Sequence, residues 1–263
     1  MSPIEFIFLK TPTIALGFIV VAVVVAISIC GILITRRLTG DKRLVKHPET
    51  ASTMFHTVGV IYAVILAFMV IVVWENFDRI DSNVSAEANC CADLARDANA
   101  LGEPFSSEAK GTIGNYVEAV VAEEWPALAL GGRSAQAHEA FTEIWDLYLS
   151  YEPETVRQEI FLASSVQKLN EAGALRTIRI ADSRSHIHPI LWSVLLVGGF
   201  ITIIFSYFLV FERLRRQIVM TALFSTIIAL ILFTILVFDF PFAGQMGIKP
   251  DAFQPILIYI SIG

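Results

Sequence analysis

The sequence predicts an all-α membrane protein: four transmembrane helices with an extramembrane helical domain inserted between the second and third, whose outer helices extend the transmembrane helices. Three observations carry this expectation. Four runs, Thr13–Ile34, Thr57–Trp74, Ile190–Phe211 and Ile218–Phe238, contain no Asp, Glu, Lys or Arg, and each approaches or exceeds the roughly 20 apolar residues that a spanning helix needs. The chain as a whole is 55% hydrophobic with a mean hydropathy of +0.65. Between the second and third runs lies an acidic segment, Glu75–His188, whose apolar residues recur at helical spacing. The expected division is 1–74 for the first two spans, 75–188 for the helical domain, 189–239 for the last two spans and 240–263 for a tail.

Charge orients the spans. The net charge is −6, yet 75–188 alone holds 19 acidic and 9 basic residues, a balance of −10 that leaves +4 for the remainder. Of the ten basic residues outside it, eight cluster in two short loops, Arg36, Arg37, Lys42, Arg43 and Lys46 in one and Arg213, Arg215 and Arg216 in the other, leaving Lys10 and Lys249 in the tails. Short loops rich in Lys and Arg stay cytoplasmic. Both termini and the acidic domain are therefore expected on the outer face, periplasmic if the membrane is a bacterial inner membrane. The first run is too long for a cleavable signal peptide, and its positive charges follow it.

Each element of the acidic segment has its own punctuation. Four helices are expected, about Glu75–Leu101, Ser107–Glu124, Ser134–Tyr151 and Pro153–Ser185. Gly102 and Pro104 end the first, Trp125-Pro126 ends the second, Gly131-Gly132 precedes the third, and Pro153 suits the first turn of the fourth. Nothing between Trp74 and Asp78 breaks a helix, so the first of these continues the second span; the fourth is expected to run through Pro189 into the third.

The first helix carries a three–four seam, Phe77, Ile80, Val84, Cys91, Leu94, Ala98 and Leu101, in which Glu87 occupies a place suited to an apolar residue. The fourth repeats it with Leu162, Val166, Leu169, Gly173 and Ile180, interrupted by Arg176. Glu87 lies 13 residues after Trp74, and Arg176 lies 13 before Pro189, so both stand about 20 Å along their helices from the membrane boundary. A structural ion pair between Glu87 and Arg176 is expected, with Arg179 as the competing partner and two independent solvated charges as the bland alternative.

Catalytic and metal motifs are lacking. There is no glycine-rich phosphate loop, HExxH or GxSxG, which argues against an enzyme and implies no cofactor. His186 and His188, with Asp182 a turn earlier, form a poor ligand set, since i and i+2 point to different faces of a helix; a pair capping the third span is the alternative. Glu123-Glu124 is expected to be a solvated face. Cys90-Cys91 is expected as buried thiols, or else as an intersubunit disulfide. The spans also lack the titratable and broken-helix features of transporters, whereas a passive pore with an apolar constriction needs neither. Gly59, Ala63 and Ala67 form a small-residue stripe on the second span, and Tyr62, Leu66, Met69 and Val73 on the adjoining face are the pore-lining candidates, with intrasubunit core or lipid contact as alternatives.

The run Val60-Ile61-Tyr62-Ala63-Val64-Ile65-Leu66-Ala67-Phe68, then Val72-Val73-Trp74-Glu75 and Glu87-Ala88, resembles the bestrophin-like family of membrane proteins. So do Tyr116 with Glu124-Trp125-Pro126, the Arg176/Arg179 stretch before Pro189 and Trp192, and the tail from Pro241-Phe242 and Gly244 to Pro250, Ala252 and Phe253. Bestrophins are oligomeric anion channels with an apolar neck on the second membrane helix. The resemblance implies a homo-oligomeric, anion-permeable channel whose partners are the lipid bilayer, further copies of the chain and inorganic ions, with no nucleic acid. Two departures stand out: the charge bias places the helical domain outside, and no acidic cluster matches a calcium clasp. The alternative function is a non-conducting sensor or partner-binding membrane protein with an outer helical domain.

Overall fold

The computed structural model describes residues 12–39, 48–209 and 213–262. Lys42, Arg43, Lys46 and the expected end of the third span at Phe211 lie outside the described residues. Among those described, every regular element is helical. They are α1 (Thr13–Thr39), α2 (Pro48–Leu101), α3 (Phe105–Ala119), a π-helical turn (Val120–Glu124), α4 (Trp125–Leu128), α5 (Ala135–Ser150), α6 (Val156–Asp182), α7 (Pro189–Tyr207), α8 (Leu214–Asp239), a 3-10 turn (Pro250–Phe253) and α9 (Gln254–Ile262).

Four of these, α1, α2, α7 and α8, are long and apolar enough to cross a membrane. Their outward side chains are apolar and large, including Phe18, Phe68 and Phe200 at 73%, 64% and 62% exposure. Water would not tolerate so much exposed hydrocarbon, whereas lipid solvates it.

The chain folds as two compact units. The first, the bundle, comprises the described residues of Lys10–Asn76 together with His186–Asp239. Close helix approach here rests on glycine. A Cβ on Gly17 would lie 2.8 Å from the Phe233 ring of α8, and one on Gly198 would lie 2.8 Å from the Tyr62 ring of α2. The Tyr62 hydroxyl donates to the Leu195 carbonyl at 2.9 Å. Beyond the other end of α7, Gln217 is buried; its amide donates to the carbonyls of Tyr207 and Leu209, both at 3.1 Å, and accepts from Arg36 Nε at 2.9 Å. One side chain thereby satisfies two carbonyls at the end of α7 and fixes the basic end of α1.

The second unit comprises Phe77–Ser185 and the chain after Asp239. Its core gathers Ile80, Val84, Leu94 and Leu101 from α2, Ile113 and Tyr116 from α3, Ile144 and Tyr148 from α5, Leu169 from α6 and Phe253 from the tail. The predicted α2 seam is the buried face of that helix. Gly102, at φ +89°, gives the left-handed residue that ends α2, and Tyr151 and Gln158 donate to the helix-terminal carbonyl of Leu101 at 2.6 and 3.0 Å. The tail is part of this unit, with Phe242, Ile248 and Ile256 in the core.

Three boundaries differ from expectation. α6 starts after Thr155, which forms a capping box with Gln158, so Pro153 lies outside the helix. The second predicted helix widens into the π turn, where Trp125 N–H reaches back to Val120 O; Pro126 has no N–H for the carbonyl four residues back, and widening the preceding turn accommodates that gap. Most consequentially, α6 does not run into the third span. It ends at Asp182 and α7 begins at Pro189, because proline disfavours helical geometry at the residue before it. His188 instead caps α7, its ring accepting from Ile190 N–H at 3.4 Å, and Pro189 takes the first helical position where its missing donor costs nothing. Of the two outer helices, α2 alone extends a span.

Candidate functional site

Two places bring together the residues singled out from sequence, one in each unit. In the bundle, Tyr62, Leu66, Met69 and Val73 share one face of α2. All four are buried, at 4–9% exposure, in a cluster with Leu195, Ile228 and Ile235. They pack against helices of their own chain, and Tyr62 and Leu66 also border an apolar groove. The opposite face of the same helix, Ile61, Val64, Phe68, Ile71 and Val72, is 48–64% exposed. Helical spacing picks out the first set, but a span that is apolar all round offers no contrast to tell an inward face from an outward one. Nor does Gly59 serve close packing within the chain: a Cβ there would meet nothing within 4 Å. The small-residue stripe instead floors an apolar groove of about 430 Å³, walled by Phe224, Ile227 and Ile231 of α8.

In the helical unit, four charged side chains meet in the interior. Glu87 and Glu124 are fully buried, and Arg176 and Arg179 are 6% and 1% exposed. Arg179 donates through Nε and Nη2 to Glu87 at 2.7 and 2.9 Å, and through Nη2 to Glu124 at 2.8 Å. Arg176 donates to both oxygens of Glu124, at 2.6 and 3.2 Å. The Tyr116 hydroxyl donates to Glu87 at 2.7 Å, and the Arg179 guanidinium lies 5.3 Å from the centre of the Trp125 ring, whose N–H donates to Ile248 O at 3.0 Å. Two carboxylates and two guanidiniums balance in charge, which is what makes their joint burial tolerable.

The direct partner of Glu87 is thus Arg179, the competing candidate, and Arg176 pairs with Glu124. The reason is a rotation of the α6 seam. Its buried residues are Ser165, Leu169, Ala172, Arg176, Arg179 and Asp182, so Gly173 and Ile180 give way to Ala172 and Arg179. Glu124 is the functional-looking residue that sequence reasoning misplaced as solvated. The π turn separates it from Glu123, which faces out into an acidic groove with Glu118, Glu139 and Glu143. Burial alone would raise the Glu124 pKa; the hydrogen bonds and charges of Arg176 and Arg179 outweigh it and hold the carboxyl below its ordinary range. Burial and the adjacent Glu87 charge push the Tyr116 phenol well up, so it remains a donor.

The remaining candidates separate. Asp182 forms a two-pronged pair with Arg79 at 3.0 and 3.1 Å, while His186 Nδ1 meets the Asp239 carbonyl at 2.8 Å; among the described residues no group of three or more His, Cys, Asp or Glu is placed to hold a metal ion. Cys90 and Cys91 are buried free thiols in the core of the helical unit.

A model of the bestrophin-like domain matches residues 21–253. The chain belongs to the bestrophin-like family. Its fold is also that of solved structures at low sequence identity. A crystal structure of a bacterial bestrophin homologue from Klebsiella pneumoniae, carrying a point mutation, superposes with a TM-score of 0.67 at 12% identity, covering 93% of this chain and 99% of that one. A second, described as a membrane protein with a point mutation, gives a TM-score of 0.70 at 12% identity over 92% and 96% of the two chains. No curated protein matches. Family and apolar helices together make this bestrophin-like chain a membrane protein.

Proposed function

We propose that this bestrophin-like chain is one subunit of a homo-oligomeric ion channel passing anions. The observation that carries the reading is the match of the family model over 21–253, and a fold shared with almost the whole of a bestrophin homologue supports it. Within that reading the neck is formed by the exposed apolar face of α2, Ile61, Val64, Phe68 and Ile71, because the opposite face is spent on the subunit's own core. A ring of such residues gates by excluding water and needs no charge.

The acidic balance of the helical unit would attract cations at a channel mouth, so anion preference has to be set at the neck. In the proposed topology Phe77–Ser185 is an extramembrane domain on the outer face, and the basic loops around Arg36 and Arg213 are cytoplasmic. Cysteines introduced at exposed Ser107 and Arg213 test this. Labelling of Ser107→Cys alone by an impermeant reagent added outside supports it, and labelling of Arg213→Cys alone reverses it.

The deciding experiment for conduction is ion flux from liposomes containing the purified protein, under chloride and potassium gradients. Chloride-selective flux is expected. Potassium-selective flux keeps the pore and removes the anion assignment; no flux at any pH removes the channel and favours the sensor.

A further inference from the structure

Among the described residues, the chain passes between its two units at three points: within α2 after Asn76, after Ser185, and after Asp239. The first crossing is a continuous helix. The other two are not helical, and both are held by one side chain. Asp239, 6% exposed, is the last residue of α8. Its Oδ1 accepts from Ile187 N–H at 2.6 Å, its Oδ2 accepts from Trp192 Nε1–H at 3.0 Å, and its backbone carbonyl meets His186 Nδ1 at 2.8 Å. Both carboxylate oxygens and the carbonyl are thereby committed to the later part of the other connection and to the first turn of α7.

The placement runs against local preference. A carboxylate at a helix C-terminus meets the negative end of the helix dipole and is unfavourable for its own helix. It is favourable beside the N-terminus of another helix, where unsatisfied N–H groups point outward, and Asp239 stands at the N-terminal approach to α7. The residue is therefore suited to its neighbour at the expense of α8.

We propose that Asp239 is a positioning residue that fastens the approach to α7 and the end of α8 into one junction, so that these two helices are displaced together and not separately. The junction stands independently of conduction. Its use in gating rests on the channel reading.

Hydrogen–deuterium exchange on the full chain in lipid nanodiscs tests it, with Asp239→Asn and Trp192→Phe. Asparagine keeps the shape but replaces one acceptor oxygen by a donor, so Ile187 or Trp192 loses its partner. Phenylalanine removes only the indole donor and leaves Ile187 untouched. The expected result is that exchange at 186–190 and at 240–243 rises together, about tenfold or more for Asp239→Asn and less for Trp192→Phe, while amides of 109–119 are unchanged. A rise in only one of the two segments, a rise across the whole chain without local excess, or no rise in either overturns the junction. Flux from the same variants separates the two claims. Absence of flux in the unaltered protein sinks the channel while the exchange result still decides the junction; altered flux rate with unchanged selectivity is expected if both hold.

Discussion

The two units solve opposite problems with the same helix. In the bundle, α2 is apolar on every side, and its two faces differ only in what they meet: Leu66 is 4% exposed and Phe68 is 64%. Further along, α2 is amphipathic, and a single buried carboxylate, Glu87, selects its partners by charge. An apolar span can rotate without violating any local rule, so its orientation is set by packing such as Tyr62 against Gly198 and Gly199. A buried charge cannot be displaced without leaving another unpaired. Specificity in the bundle comes from shape, and in the helical unit from charge.

The largest expected effect lies in the charge lattice. Arg179→Ala leaves Glu87 with Tyr116 as its remaining partner in that lattice, and breaking a buried pair from one side costs about 3–5 kcal/mol. Thermal unfolding in detergent should show a loss of that order, sharply greater than for exposed Arg157→Ala. A loss equal to the surface control would mean that the lattice contributes nothing to this unit.

Shape is tested next. Gly198→Ala drives a methyl to 2.8 Å from the Tyr62 ring, an overpacking of about 1–3 kcal/mol. Adding Tyr62→Leu should restore part of the loss, since the clash is with the ring. Failure of the second change to help would remove Tyr62 as the shape-reading residue.

A smaller effect concerns acid. The Glu124 pKa is lowered in the folded protein from an ordinary value of about 4.3, so the folded state binds its proton less readily than the unfolded state. The stabilisation is present above the unfolded pKa and is lost as pH falls through the folded one. Glu124→Gln should lower stability at pH 7 and flatten the acid limb below about pH 4. An unaltered acid limb would assign acid sensitivity to other carboxylates.

The same contrast explains what was legible in the sequence. Four uncharged runs announce four spans, and the seam from Ile80 to Leu101 announces the buried face of α2, because polar residues on its other side supply contrast. Glu87 was visible as an intruder in that seam. Its partner was not, because Arg176 and Arg179 lie one turn apart and a modest rotation of α6 exchanges them. Glu124 escaped because an α-helical count does not anticipate a π turn before Pro126. The inward face of the second span escaped for a different reason: no charged residue in 57–74 marks either side. The break between α6 and α7 was signalled by Pro189, whose effect on His188 outweighs the helical period on either side.

The central claim is that the exposed face of α2 lines an ion path. It is tested most directly by placing single cysteines along 61–73 in a background lacking Cys30, Cys90 and Cys91, then measuring block of liposome flux by a charged, water-soluble thiol reagent. Block at 61, 64, 68 and 71, with none at 62, 66, 69 and 73, is the predicted pattern. Block at 62, 66, 69 and 73 instead, or none at any position in a conducting protein, would contradict it.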